Sequence, residues 1–456
     1  MLPSKGAWGA GQNEAAWEAG SDLSAHIGKI GIDGSAFDLK HEPITKVRVA
    51  VVGVGNRGTS LINMLEWLVK EGHAEITALS DVNGEKIDRA LEQVAGFQKT
   101  RPAIFTGSLN AWEAACSPDI ADLLLICTPW EWHTSMCLHG MRAGLHVASE
   151  VPMAYTVNDS LELVLTAEKT GRHCIMLENC CYNEEELWIL NMIEEGIFGT
   201  LTHAECAYLH DLRVMMLDPT YYEDRWRLKH HLQRDGNLYT THGLGPVCMY
   251  FDILRGDTLT HLVSMSSKEA SLSEAMAADG DEAIRAMASG VVCGDVNTTL
   301  LKTAQGRSIM LQFDTHSGRP YSRLNKVIGS GAAHYGYPSK LYVDHGPSWS
   351  HHWLDDAETA EMRDRYAHPL WTRLSEQVAQ NRSGHGGMDF VMMYRLIRCL
   401  NLGESLDLNV YDGALWSMVG ALSEQSVTDG SARVDIPDLT GGRWKEARRH
   451  PVSREL

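Results

Sequence analysis

The 456-residue sequence contains no run of about 18 apolar residues, the length a membrane-spanning helix requires. Its most apolar stretch, Leu123 to Cys127, has the length of a buried strand, and no membrane partner is expected. Basic residues are also short: 40 Lys+Arg face 59 Asp+Glu, a formal net charge of −19, and so acidic a surface repels phosphate backbones. The longest basic stretch, Arg443 to Arg449, is broken by Glu446 and reads as a solvated helix face, so nucleic acid is not expected as a partner. None of the ten cysteines is spaced C-x-x-C, which suits reduced, buried thiols rather than disulfides or a zinc site. His203, His210, His230 and His231 match no ligand spacing either, and no metal is expected. Residues 1–20 hold neither a twin arginine nor an apolar core, so no export signal is expected there. The compartment stays open: cytoplasmic as written, periplasmic or exported if a signal has been removed.

What is present is an ordinary globular composition, 44% apolar and 22% charged, over about three usual domain lengths. Residues 1–45, rich in Gly, Ala, Ser and Asp without a sustained period, form an extension that packs loosely or wraps the body. Residues 46–178 alternate short apolar strands with helical patterns, beginning with VRVAVVGVGNRG and the helix-spaced Leu61, Ile62, Leu65 and Leu68. This predicts an α/β fold: an N-terminal Rossmann domain with a doubly wound parallel sheet. Residues 179–430 change rhythm. A helix over 182–195, strands near 201–208, 258–266, 290–303 and 308–315, and helices over 388–400 and 414–428 predict an α+β domain with a large, mostly antiparallel sheet. A tail, 431–456, follows.

Gly53, Gly55 and Gly58 spell G-x-G-x-x-G between a strand and a helix, where backbone amides and the helix dipole receive a pyrophosphate. Asp81 stands at the end of the next strand, placed to accept bonds from both ribose hydroxyls and to repel a 2′-phosphate, favouring NAD over NADP. Arg57 inside the loop works against that preference, since a guanidinium there suits a phosphate. Trp130, Glu131, Trp132 and His133 follow the third strand, where they wall the nicotinamide half or merely cover the sheet edge. Glu150 ends another strand on the same side, next to the nicotinamide ribose or in a salt bridge.

The second half gathers Tyr, Arg, Asn and Trp, which offer rings to stack on and fixed donors for a polyhydroxylated ligand. His242, flanked by Thr240 and Thr241 in GNLYTTHGLGP, is the best general acid or base by residue type, or otherwise a turn residue.

These blocks carry a resemblance. VRVAVVGVGNRG, Asp81, TPWEWH and GLHVASEVP are similar to the glucose-fructose oxidoreductase, inositol dehydrogenase and rhizopine-catabolism superfamily. ENCCY, AYLHDLR, RWRLKHH, GNLYTTHGLGP and GRPYSR resemble, more narrowly, glycoside hydrolase family 109, the NAD-dependent α-N-acetylgalactosaminidases. Where the superfamily's dehydrogenases usually have Glu-Lys-Pro this chain has Glu150-Val151-Pro152, and their aspartate-and-histidine pair is not visible around Thr240 to His242. The resemblance implies NAD contacts at Asn56, Arg57, Asp81, Trp130, Glu131, Trp132, His133, Glu150, Val151 and Asn179. It implies a sugar site at Tyr208, Arg227, Tyr239, His242 and Tyr321, with Tyr182 close by. Of these, His242 would serve the sugar C3 hydroxyl, and Tyr182 or Tyr239 the C2 proton or leaving oxygen.

The expected activity is therefore hydrolysis of terminal N-acetylhexosaminides, α-N-acetylgalactosamine foremost, by transient C3 oxidation, C1–C2 elimination and water addition, with NAD recycled. A net sugar or cyclitol dehydrogenase is the alternative. The partner is a small-molecule or glycan substrate, and the exposed face of a large antiparallel sheet suggests a homo-oligomer.

Overall fold

The computed structural model describes residues 22–454 apart from 348, 382 and 383. A short helix, α1 (Leu23–Ile30), precedes the first sheet. That sheet comprises β1 (Val47–Val52), β2 (Ala74–Ser80), β3 (Ala103–Phe105), β4 (Leu123–Ile126), β5 (His146–Ser149) and β6 (Cys174–Met176). Its order is β3-β2-β1-β4-β5-β6 and every pairing is parallel, the doubly wound Rossmann arrangement. Helices α2 (Asn56–Lys70), α3 (Gly84–Ala95), α4 (Trp130–Arg142) and α5 (Val157–Thr170) cover its faces. Because both faces are covered, β4 reads as a continuous apolar run and β1 as one broken only by Arg48, and α2 turns Leu61, Ile62, Leu65 and Leu68 inward.

After helix α6 (Glu184–Glu194) comes a second sheet of β7 (Leu201–Leu209), β8 (Leu259–Ser266), β9 (Asn297–Thr303), β10 (Ser308–Asp314), β11 (Lys326–Gly329), β12 (Ala332–Gly336), β13 (Ser339–Val343) and β14 (Val434–Asp435). Its order is β13-β12-β11-β7-β10-β9-β8-β14, antiparallel except where β7 and β10 run parallel at the centre. The strand expected from Gly290 begins only at Asn297. Asp295 just before it is occupied in capping, accepting from the backbone of Ala270 and Ser271.

Two late helices return to the first domain. Met388–Leu402 brings Asp389 to Arg57, and Val410–Thr428 lies so close to the Rossmann sheet that a Cβ on Gly413 would meet Met153 at 2.8 Å. The extension is clipped along this seam. The Gly34 amide donates to Glu168 at 2.7 Å, the Ala36 amide to the Tyr411 hydroxyl at 3.1 Å, and Phe37 is buried. Residues 1–21 lie outside the described residues. The stretch Arg443 to Arg449 is not the helix face its composition suggests. It opens with a short 3-10 turn and pairs Arg443 and Arg448 with Asp38, and Arg449 with Glu194.

Candidate active site

β1 runs into Gly53, whose φ of +85° and whose approach to the Cys127 carbonyl, 2.7 Å from an added Cβ, admit only glycine. A Cβ on Gly58 would sit 2.0 Å from the Gly53 carbonyl oxygen. Gly58 therefore packs α2 against the loop and does not line the cleft, whereas Gly53, Gly55, Asn56 and Arg57 do. Gly55 is the N-cap of α2 and supplies no side chain to its first amides, which stay available to an anion. Asp81 at the end of β2 accepts the Val54 amide through Oδ2 and the Asn83 amide through Oδ1, each at 2.9 Å. It is thus fixed beside the loop. The glycine turn, the uncapped helix start and the acidic strand end fit a dinucleotide.

Arg57 does not wait for a phosphate. Its Nε donates to Glu150 at 2.7 Å and its Nη1 to Asp389 at 2.6 Å. Asn179, deep in the cleft, donates to the same Asp389 at 2.6 Å. Burial would raise the Asp389 carboxyl, but His385 and Arg57 hold it well below the ordinary carboxylate range. With two carboxylates on its guanidinium, Arg57 offers no free charge to a 2′-phosphate, and the sequence argument for NADP falls.

The cleft, about 2380 Å³, runs between the two domains and takes in Trp130, Glu131, Trp132, His133, Glu150, Val151 and Asn179. Trp130 is buried against Tyr239, His230 and Trp226, with ring centroids 4.9 to 5.8 Å apart. Glu131 pairs with His230 at 3.7 Å. His133 lies between the carbonyls of Pro152 and Thr128, 2.7 Å from each, so its ring nitrogens tie two loops together.

At the other end Tyr208, Arg227, Tyr239 and His242 line the same cleft. His242 Nδ1 lies 2.7 Å from Oε1 of Glu178, a fully buried carboxylate. A carboxylate only accepts, so Nδ1 carries the proton and Nε2 is left with its lone pair, 3.3 Å from the Tyr239 hydroxyl. Burial would raise Glu178, yet its pairing with His242, the Thr241 hydroxyl beside it and the hydrogen bond from the Cys180 amide bring it below its ordinary value. Burial pushes the Tyr208 phenol up to about 12 and Tyr239 well above its ordinary value, so both act as neutral donors. Arg227 is 5% exposed, with its guanidinium 5.0 Å from the ring centroids of Trp130 and Tyr239 and 5.5 Å from that of Tyr222. Nη1 donates to the Tyr222 hydroxyl at 3.1 Å, while Nε and Nη2 have no hydrogen-bond partner among the described residues.

Four expected site residues lie elsewhere. Tyr182 is buried outside the cleft in the surroundings of Asp407 and Arg395, and its carbonyl accepts from Trp371, so it cannot reach a sugar there. Thr240 donates to the Trp416 carbonyl at 2.5 Å and Thr241 is fully buried, because His242 alone of that trio faces outward from the start of its helix. Tyr321 stands beyond the cleft lining, edge-on to Tyr208 at 6.1 Å and His210 at 5.2 Å, with its hydroxyl held by Arg323.

Sequence reading missed Glu178 and Asp389. Glu178 follows β6 just as Asp81 follows β2 and Glu150 follows β5, so the rule that ligands sit at carboxyl ends of parallel strands points to it. Asp389 has no such signal, since folding alone brings it to Arg57.

Residues 182–446 match the family described as Glycosyl hydrolase 109, C-terminal domain, and residues 47–178 match Oxidoreductase family, NAD-binding Rossmann fold. A glycosyl hydrolase family 109 protein 1 of Shewanella sp. strain MR-4 is 40% identical over 449 residues, 98% of this chain and 96% of that protein. The chain belongs to glycosyl hydrolase family 109. A second family 109 relative, from Shewanella baltica strain OS195, is 43% identical over 406 residues, 88% of this chain and 87% of its own length. This family 109 chain is an enzyme whose Rossmann domain binds NAD. Its fold is shared with an NAD-binding oxidoreductase from Klebsiella pneumoniae (TM-score 0.65, 14% identity, 87% of this chain and 100% of that one). Levoglucosan dehydrogenase in complex with NADH and L-sorbose is similar too (TM-score 0.63, 14% identity, 86% and 100%). Among the described residues no helix is long and apolar enough to cross a membrane.

Proposed function

We propose that this enzyme hydrolyses terminal N-acetylhexosaminides, α-linked N-acetylgalactosamine foremost, by transient oxidation at C3 followed by elimination and water addition. The observation that carries the reading is the Glu178–His242–Tyr239 chain, which opens into the same cleft as the glycine loop. Gly53, Gly55, Asn56, Asp81, Trp130, Glu150 and Asn179 would hold NAD, which when bound supplies a reversible two-electron oxidation of a carbinol.

The protein's own part follows from the geometry. His242, protonated at Nδ1, takes the C3 hydroxyl proton at Nε2, and Glu178 stabilises the imidazolium that results. A ketone at C3 makes the C2 proton acidic; that proton passes to solvent water as the C1 substituent leaves in a β-elimination, and solvent returns a proton to C2 when water adds at C1. Tyr239, a neutral phenol, donates to the departing oxygen. Arg227 offers Nε and Nη2 to an acceptor on the sugar, and an N-acetyl carbonyl is the matching group. The usual glycosidase carboxylate pair is not needed. Glu150 is committed to Arg57, Glu131 to His230 and Glu178 to His242.

Turnover of 4-nitrophenyl α-N-acetylgalactosaminide in D₂O tests this, since elimination and addition place solvent deuterium at C2 of the released sugar. Release of sugar with no deuterium at C2 overturns the route. Val151 in place of the dehydrogenases' lysine weighs against a net dehydrogenase. That second reading draws on the oxidoreductase-family match of residues 47–178 and on the fold shared with levoglucosan dehydrogenase.

A further inference from the structure

Part of the wall around the dinucleotide half of the cleft does not come from the Rossmann domain. Residues 218–225 join two short helices of the second domain, Arg213–Leu217 and Trp226–His231, and every residue from Asp218 to Asp224 lines the cleft that also holds Gly53, Gly55, Asn56 and Asp81. At its base this loop is closed on itself. Arg225 Nε donates to the Leu217 carbonyl at 2.7 Å and so bridges the two ends, while Asp218 accepts both the amide and the hydroxyl of Thr220 at 2.7 Å. Asp224 and Arg225 stand in the left-handed region, with φ of +56° and +49°. Non-glycine residues adopt that backbone at a cost, and it gathers where segments clamp or switch.

The tip of the loop reaches across to the other domain. Asn56 Nδ2 donates to the Tyr221 carbonyl at 3.3 Å, and Lys86, in the first turn of α3, pairs with Glu223. Both partners belong to the anion-receiving turn and its surroundings, because Asn56 is the first residue of α2 and Lys86 Nζ would lie 3.9 Å from a Cβ on Gly55. These tip contacts are weak. The Lys86 side chain is 20% exposed and that of Glu223 55%, and an ion pair so open to water shifts an equilibrium about five-fold at most. Between the two contacts Tyr222 turns the other way, and its hydroxyl accepts from Arg227.

We propose that residues 218–225 are a strap that retains NAD, latched onto the Rossmann domain by the Lys86–Glu223 pair and by the Tyr221 carbonyl on Asn56. Release of NAD requires the tip to lift and break both contacts while the Arg225–Leu217 neck stays closed. One exposed ion pair and one long hydrogen bond slow that opening without blocking the loading of cofactor. Through Tyr222 the seated strap also holds the Arg227 guanidinium, so the cofactor end of the cleft is tied to its far end. The proposal needs only that the Rossmann domain binds NAD, and it stands for a hydrolase and a dehydrogenase alike.

The test loads the full chain with radiolabelled NAD and chases it with excess unlabelled NAD. Glu223→Gln is expected to release the label roughly 3- to 5-fold faster, with kcat at saturating NAD unchanged. High salt is expected to speed release from the wild-type protein and to have little effect on the variant, since it screens a pair the variant lacks. Lys86→Met is expected to match Glu223→Gln, and the exchanged pair, Lys86→Glu with Glu223→Lys, to restore slow release. Hydrogen exchange of the 220–224 amides is expected to be slower in NAD-loaded than in NAD-free protein. A wild-type release rate in Glu223→Gln overturns the proposal, as does equal exchange with and without NAD. Fast release from the exchanged pair overturns it too, because Lys86 would then act on NAD directly and not through Glu223.

Discussion

Nδ1 of His242 and Oε1 of Glu178 lie 2.7 Å apart, and that contact fixes which nitrogen of His242 faces the cleft. Glu178→Gln keeps the shape but presents an amide that can donate to Nδ1 and so favours the wrong tautomer. It is expected to lower kcat about 10²- to 10⁴-fold with bound NAD unchanged. Steady-state rates beside the NAD content of the denatured protein check this.

Arg227 holds two unpartnered donors inside an aromatic cage, which the proposed function assigns to the substrate. Replacing it with Met keeps much of the packing and removes those bonds. KM for the N-acetylated sugar is expected to rise roughly 10- to 100-fold, with a smaller fall in kcat. The split between KM and kcat, measured against a substrate lacking the acetyl group, is the check.

Asp389 receives Arg57, Asn179 and His385 while its own side chain is fully buried. Asp389→Asn leaves Arg57 with Glu150 alone and loosens the joint between the late helices and the glycine loop. A loss of about 3 kcal/mol in unfolding free energy is expected, together with weaker retention of NAD. Denaturant unfolding and NAD release on gel filtration measure the two effects.

Three histidines, His41, His146 and His173, pack tilted or edge-on with ring centroids 4.6 to 5.2 Å apart where β5 and β6 begin. Burial lowers His146 from 6.5 to about 3, so between those values the unfolded chain binds a proton that the folded chain refuses. Stability from this site is complete above pH 6.5 and is lost as pH falls toward 3. His146→Gln is expected to flatten the decline of the thermal midpoint across that window, read from melting curves at stepped pH.

Much of this was legible in the sequence because it is local. The glycine turn, Asp81 and the inward face of α2 follow from short-range spacing, and the doubly wound parallel sheet follows from alternating strand and helix patterns, although the three-residue β3 at its edge was not readable. In the second domain, β7, β8 and β10 were readable, but β11 to β13 were not, being short strands of mixed polarity. Within the site, His242 stood out by its residue type and its glycine-rich setting. Tyr182, only four residues from Glu178, faces away because the 3-10 turn Asn179–Tyr182 rotates it into the core. Asp389 depends on contacts between distant segments, which no local pattern encodes.

The most direct test of the redox-neutral route is to incubate the purified enzyme with chromogenic α- and β-N-acetylgalactosaminides and matched glucosides, following aglycone and NADH absorbance together. Many turnovers of aglycone release with flat NADH, fastest on an N-acetylgalactosaminide, are predicted. NADH that rises with substrate consumed while no aglycone appears would contradict the account and make the protein a sugar dehydrogenase.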